Sequence, residues 1–103
     1  MKWMEILELR AAAGSDFLES IDLQALVAGL PKGVRPYRVV FFKHATVESD
    51  LCIHLMFDTD TVGRQGSEPG LWLKEILQAM GLVSHKIWVE SASFQIPPGD
   101  DLP

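Results

Sequence analysis

A chain of 103 residues is long enough for one domain with a small core, and 48% apolar with 22% charged residues is a globular rather than a disordered composition. The net charge of −5 argues against a nucleic-acid partner, because phosphate contacts need clustered Lys and Arg. The single cysteine excludes an internal disulfide, and no apolar run approaches the ~18 residues that cross a bilayer. We therefore expect a soluble, cytoplasmic protein without a membrane partner, with one domain over 1–95 and a flexible tail over 96–103.

The first half of the chain is predicted to form a strand, a helix and a second strand. Trp3–Arg10 mixes apolar residues with glutamates in near alternation, which is typical of a strand. Phe17–Leu30, with Ser15 or Asp16 as N-cap, is apolar on more than one helical face. That width indicates a helix that is deeply buried or contacts more than its own sheet. Tyr37–His44 is rich in β-branched and aromatic residues and predicts the second strand.

The second half repeats this order after a tight antiparallel connection. Leu51–Phe57 predicts a strand that pairs with the preceding one. The long polar loop Asp58–Pro69 leads to a helix with apolar residues at i, i+3, i+4 and i+7, which Gly81 should stop. Ser84–Phe94 predicts the last strand. Two βαβ-like halves predict a ferredoxin-like α+β fold, with a four-stranded antiparallel sheet in the order 4-1-3-2 and both helices on one face.

The sheet face away from the helices is predicted to be apolar. Alternation in the third strand directs its aliphatic and aromatic residues towards the helices, namely Leu51, Ile53, Leu55 and Phe57. The residues left on the open face are Cys52, His54 and Met56 of the third strand with Trp88 and Glu90 of the fourth. The second strand has no cleanly polar side, so it also contributes apolar residues there. Because a large exposed apolar patch marks an interface or a ligand site, we expect two copies to pack these faces together as a homodimer.

A βαββαβ unit of this length with an apolar open face resembles the dimeric α+β barrel superfamily. The step Gly81-Leu82-Val83 into a strand with His85 and Trp88 at His-x-x-Trp spacing makes it most similar to the antibiotic-biosynthesis-monooxygenase-like group. The resemblance covers Trp3–Phe94 and implies a dimer whose relatives include cofactor-free oxygenases, haem-degrading enzymes, isomerases and proteins without known activity. The haem-degrading and quinone-forming members use an Asn, and this chain has none.

His54 is the candidate general base, because a neutral imidazole accepts protons near physiological pH. Glu90 would orient that ring, and the first strand offers a further carboxylate at Glu5 or Glu8. The alternatives are a hydrogen-bonded buried His54 and a Glu90 that forms a salt bridge at the rim of the face. His85, at the start of its strand, is expected to be exposed.

The predicted ligand is a small apolar or aromatic molecule. Its candidate contacts are Trp88 and Phe42, which would stack on a ring, with Cys52, Met56, Arg38 and Trp72. Trp72 would act with the loop Asp58–Pro69 as a lid. No phosphate-binding or metal-binding spacing occurs, so no cofactor and no metal are predicted. His44 and His54 would face each other only if the numbers of paired residues in the hairpin of the second and third strands sum to 98. The chain is then an enzyme of the monooxygenase type or a non-catalytic ligand-binding or regulatory dimer.

Overall fold

Two helices and four strands lie in the part of the chain that the structure describes. The computed structural model describes residues 1–12 and 20–99, which form β1 (Lys2–Ala11), α1 (Leu23–Ala28), β2 (Arg38–Lys43), β3 (Asp50–Asp58), α2 (Glu68–Gln78) and β4 (Gly81–Val89). The strands pair antiparallel in the order β2-β3-β1-β4, which is the predicted order read from the other edge. Both helices pack on one face of this sheet. The fold is therefore ferredoxin-like α+β, as the order of elements predicts.

Alternation in the two central strands builds the core. In β3 the buried residues are Leu51, Ile53, Leu55 and Phe57, while their neighbours in sequence are half-buried or exposed. In β1 the same face carries Trp3, whose ring stacks on Phe57 with centroids 4.2 Å apart. Leu73 and Leu77 of α2 and Leu30 complete the buried cluster. We call this side of the sheet the covered face.

The helix α2 begins where the sequence predicts. Ser67 is its N-cap, and the Ser67 hydroxyl accepts the N–H of Gly70 at 3.0 Å. Pro69 lies in the first turn, where a missing N–H costs nothing. The helix ends at Gln78, before the predicted stop at Gly81. Gly81 instead opens β4, where a Cβ would overlap the carbonyl oxygen of Arg10.

The helix α1 is shorter than predicted. It spans six residues rather than Phe17–Leu30, and Asp22 caps it by accepting the N–H of Ala25 at 3.1 Å. The predicted caps Ser15 and Asp16, and residues 17–19 of the predicted helix, lie outside the described residues. No residue of α1 is buried, so the deep burial expected from its apolar width does not occur. Within the described part of the chain, no helix is long and apolar enough to cross a membrane.

The strand β4 is shifted towards the N-terminus of its predicted range. It starts at Gly81 and ends at Val89, whereas the sequence pattern predicts Ser84–Phe94. Residues 91–99 have no regular secondary structure. Their two large apolar side chains, Phe94 and Ile96, are 86% and 85% exposed.

Candidate functional site

The open face is the sheet surface opposite the helices, and it consists of three central rows of side chains. Paired residues share a face, so the strand register gives each row directly. The rows are Trp88, Met4, Met56 and Arg38, then Lys86, Ile6, His54 and Val40, then Ser84, Glu8, Cys52 and Phe42. The observed register confirms the prediction that one face carries Cys52, His54, Met56 and Trp88. Trp88 is 58% and Phe42 is 44% exposed, so large apolar surface meets solvent in a single copy.

The charged residues of the open face are balanced in sign. The basic members of the open face are Lys2, Arg10, Arg38 and Lys86, and the acidic members are Glu8, Asp50, Asp58 and Glu90. These four positive and four negative side chains make the face neutral, although the whole chain carries a net charge of −5. The excess negative charge therefore lies elsewhere on the molecule.

A cleft opens at one end of this face. Its volume is about 320 Å³, and it lies between Trp88, Met4, Met56 and Tyr37, with Lys2 and Glu90 at its rim. This volume reaches the lower end of the range for small-molecule sites, roughly 300 Å³. Aromatic and thioether side chains on the walls suit a flat apolar ligand, and the rim charges would orient a polar substituent on it.

His54 lies at the centre of the open face. The ring of Phe42 approaches its imidazole with centroids 4.6 Å apart. Partial burial lowers the pKa of His54 below its ordinary value, and the carboxylate of Glu8 acts weakly in the opposite direction. The imidazole is therefore neutral at pH 7 and able to accept a proton. Met56, which lines the cleft, is two residues further along β3 on the same face.

Glu90 does not lie near His54 within one chain. Its N–H donates to the carbonyl oxygen of Lys2 at 2.9 Å, whereas His54 pairs with Ile6. Four residues and two strands then separate the side chains, about 13 Å along the sheet and about 10 Å across it. The prediction that Glu90 orients the His54 ring is therefore wrong for a single copy, because the register places them in different rows.

Two further predicted site contacts lie elsewhere. Trp72 projects from α2 onto the core of the covered face, close to Gly29, so the sheet separates it from Trp88. The loop before α2 also lies on the covered face, where Thr59 accepts the indole N–H of Trp3 at 2.7 Å. Neither Trp72 nor this loop is a lid over the open face, because both lie on the opposite side of the sheet.

His44 does not face His54. Paired residue numbers in the β2–β3 hairpin sum to 94, as in Val40 with His54, rather than to 98. The ring of His44 instead caps the turn that follows β2, with its Nδ1 accepting the N–H groups of Thr46 and Val47 at 3.1 and 3.0 Å. Among residues 1–12 and 20–99, no group of three or more His, Cys, Asp or Glu side chains is placed to hold a metal ion.

Cys52 carries a protonated thiol. Burial raises the pKa of this thiol above its ordinary value. The negative charge of Glu8, which pairs with Cys52 from the neighbouring strand β1, raises the pKa further. A thiol with a raised pKa is a poor nucleophile. Cys52 therefore contributes apolar contact on the open face rather than covalent chemistry.

A carboxylate–histidine pair does form, but on the covered face and from other residues. The Nε2–H of His85 donates to Glu5 Oε2 at 2.7 Å, and the backbone N–H of Ser67 donates to Glu5 Oε1 at 2.8 Å. The side chain of Glu5 is completely buried and that of His85 is 9% exposed. The expectation that His85 is exposed is therefore wrong, because β4 begins three residues earlier than predicted, which makes His85 an interior strand residue on the face that it shares with Ile87.

Two glycines let the chain close over this pair. A Cβ on Gly70 in the first turn of α2 would overlap the carboxylate of Glu5, so only glycine allows the helix to approach. Gly66 has a φ of +111°, and a Cβ there would lie 2.8 Å from Cε1 of His85. The α2 N-terminus and its preceding loop thus cover the Glu5–His85 pair with backbone rather than side chains.

The sequence contained a signal for this pair. Glu5 is a charged residue at a position that alternation in β1 assigns to the apolar set of Trp3, Leu7 and Leu9. His85 is two residues from Ile87 in the same strand, so alternation places both on the face that was predicted to point towards the helices. Their contact depends on the register between β1 and β4, and side-chain alternation within one strand does not determine that register.

Comparison with known proteins gives no relative. No family model matches the chain, and neither a curated protein nor a solved structure is significantly similar to it. Its function must therefore be inferred from the open face, its cleft and the buried Glu5–His85 pair.

Proposed function

We propose that this protein is a homodimer that binds a small apolar or aromatic molecule, with the open faces of two copies packed together. The observation that carries the proposal is the open face itself. Its centre combines exposed Trp88 and Phe42 with half-buried aliphatic and thioether side chains, and helices cover only the other side. Water against such a surface is unfavourable, and a second copy is the partner that is always present.

The charges and dimensions of the open face suit a second copy. A two-fold interface must complement itself, and a neutral face with equal numbers of both signs does so, whereas two surfaces with the chain's net charge of −5 would repel each other. Strand spacing and rise give a face of roughly 19 by 30 Å, so two packed faces would bury about 1,100 Å². That area is at the lower end for a specific interface.

The cleft at the end of the open face is the proposed ligand site. Packing a second copy over the cleft would enclose its walls, Trp88, Met4, Met56 and Tyr37, and remove a bound ring from water. Arg38 lies beside Met56 in the same row, and Phe42 and Cys52 lie two rows further along the face, where they would contact a larger ligand or the second copy. Glu90 and Lys2 at the rim would bind its polar end.

Sedimentation of two matched variants tests the dimer. Trp88→Glu places a charge on the open face, and Leu71→Glu places one at a comparably exposed apolar side chain on α2. We expect a dimer for the natural chain and for Leu71→Glu at 50 µM, and a monomer for Trp88→Glu. A natural chain that sediments as a monomer, or two variants that behave alike, would contradict the proposal.

Titration with 8-anilinonaphthalene-1-sulfonate, a flat aromatic anion, tests the ligand site. We expect saturable binding to the folded dimer, weakened at least about tenfold by Met56→Glu, which puts a negative charge in the wall of the cleft and repels the sulfonate. The matched control is Val47→Glu, at an exposed apolar residue outside the cleft. Equal binding by both variants would show that the probe binds elsewhere.

A second candidate function is catalysis on that ligand, as in the cofactor-independent monooxygenase-like proteins that the chain resembles. The neutral imidazole of His54, two residues from a wall of the cleft, favours it, because such a group can remove a proton from an acidic aromatic substrate. His54→Gln should abolish turnover and leave probe binding intact. If turnover persists in that variant, His54 is not the base and the non-catalytic ligand-binding dimer is favoured.

A further inference from the structure

We infer that the segment Ser91–Ile96, which follows β4, is a fifth strand of the dimer and adds to the free edge of β2 in a second copy. The segment is called the C-terminal arm below. The inference rests on the proposed homodimer. It adds to that dimer a contact outside the open faces, between the C-terminal arm of one copy and β2 of the other.

The arm has the side-chain pattern of a strand that covers a core on one side. Its apolar residues, Ala92, Phe94 and Ile96, alternate with Ser91, Ser93 and Gln95. Period-two alternation of this kind indicates a strand with one buried side. The prolines at 97 and 98 follow directly and end the pattern, since they lack the N–H groups that a ladder needs.

In a single copy this pattern has nothing to pack against. The last backbone bond from β4 to β1 is the N–H of Glu90 to Lys2, and beyond it the arm takes no part in the sheet. Phe94 and Ile96 are the two most exposed large apolar side chains that the structure describes. An alternating segment whose apolar side is fully in solvent lacks its partner strand.

The edge of β2 offers the complementary surface. β2 pairs only with β3, so its outer N–H and C=O groups are free among the described residues. Beside this edge, on the covered face, lies an apolar groove of about 390 Å³ between α1 and β2, lined by Leu23, Gln24, Val27, Ala28 and Phe41. A strand added to β2 directs alternate side chains into that groove, where Phe94 and Ile96 would be buried.

The arm cannot reach the β2 edge of its own chain. β4 and β2 lie at opposite edges of the sheet, so the outer side of β2 is about 19 Å across the sheet from β4. The four steps from Glu90 to Phe94 span at most about 14 Å when fully extended. The arm therefore has to bind a second copy. Its contacts would also enlarge an interface that is small when built from the open faces alone.

Disulfide trapping between two variants tests the placement directly. In a Cys52→Ser background, one chain carries Gln95→Cys and the other carries Arg38→Cys, Val40→Cys or Phe42→Cys, which sample the open-face side of β2 in three registers. We expect one or two of these mixtures to give a covalent heterodimer under mild oxidation. The matched control is Ser84→Cys, on the same face of the opposite edge strand, which should give none.

Substitutions in the arm test its energetic contribution. Phe94→Ser with Ile96→Ser removes the apolar side of the arm, and Ser93→Ala with Gln95→Ala alters the other side as a control. All four side chains are exposed in one copy, so neither variant should unfold it. We expect the dimer dissociation constant from sedimentation equilibrium to rise at least about tenfold for the first pair and less than about twofold for the control.

The outcomes separate this inference from the proposed function. If the natural chain dimerises but the arm neither cross-links to β2 nor affects the dissociation constant, the arm placement is wrong and the open-face dimer stands. That result would also follow if residues of the same chain filled the groove. If the natural chain is a monomer at 50 µM, both proposals are wrong.

Discussion

At the scale of single residues, the Glu5–His85 pair is the least expected feature. A carboxylate without solvent contact is tolerated only when hydrogen bonds replace those it would make with water. Glu5 accepts two, one on each oxygen, from the N–H of Ser67 and from the imidazole of His85. The pair links β1, β4 and the start of α2, so it holds the helix against the sheet.

Replacing His85 by alanine should destabilise the protein strongly. The substitution leaves the carboxylate of Glu5 buried without its partner, which typically costs about 3–5 kcal/mol of unfolding free energy. Glu75→Ala, at an exposed residue of α2 away from the open face, is the control and should cost less than about 0.5 kcal/mol. Urea unfolding monitored by tryptophan fluorescence measures both. A loss below 1 kcal/mol for His85→Ala would mean that water replaces the imidazole.

Alkylation of Cys52 should be slow and should respond to Glu8. Because burial and the Glu8 charge both raise the pKa of the thiol, the folded protein contains less thiolate at pH 8 than the unfolded chain, and iodoacetamide should react more slowly with it. Glu8→Gln removes the second cause, so the pH midpoint of the reaction should shift downwards. Glu75→Gln, on the exposed side of α2, is the control and should leave the midpoint unchanged.

At the scale of elements, β3 was predictable and β4 was not, for a physical reason. The alternation from Leu51 to Phe57 separates buried from half-buried residues, so one strand in isolation contains the information. The end of β4 depends on where β1 stops offering a partner, which is at Lys2. Likewise, the pattern of His54 and Trp88 predicts a shared face, but only the register shows that Glu90 lies too far from His54 to orient it.

The close contact of α2 with β1 gives a sharp test of the element packing. Gly70→Ala should lower the unfolding free energy by more than about 2 kcal/mol, although alanine normally favours a helix, because its Cβ would overlap the buried carboxylate of Glu5. Gly99→Ala has open space around it and should change nothing. Adding Glu5→Ala to Gly70→Ala relieves the overlap, so the combined loss should be smaller than the sum of the two single losses.

At the scale of the whole molecule, the chain is a slab with principal extents of 43 × 42 × 22 Å. One layer of helices on one sheet gives this thickness, and it leaves half of the sheet surface without a covering layer. Packing two open faces would create a four-layer particle in which both sheets are interior. Because the interface expected from the faces alone is small, we expect the C-terminal arm to set how tightly two copies associate in the proposed dimer.

The shallow seating of α1 has a dynamic consequence. This helix has no buried residue, whereas α2 has four, so the two described helices are unequally anchored. Sub-global opening begins where the least apolar surface is released. Backbone amides of α1 should therefore exchange with deuterium far faster than those of α2, and limited proteolysis of the native protein should cut first around α1.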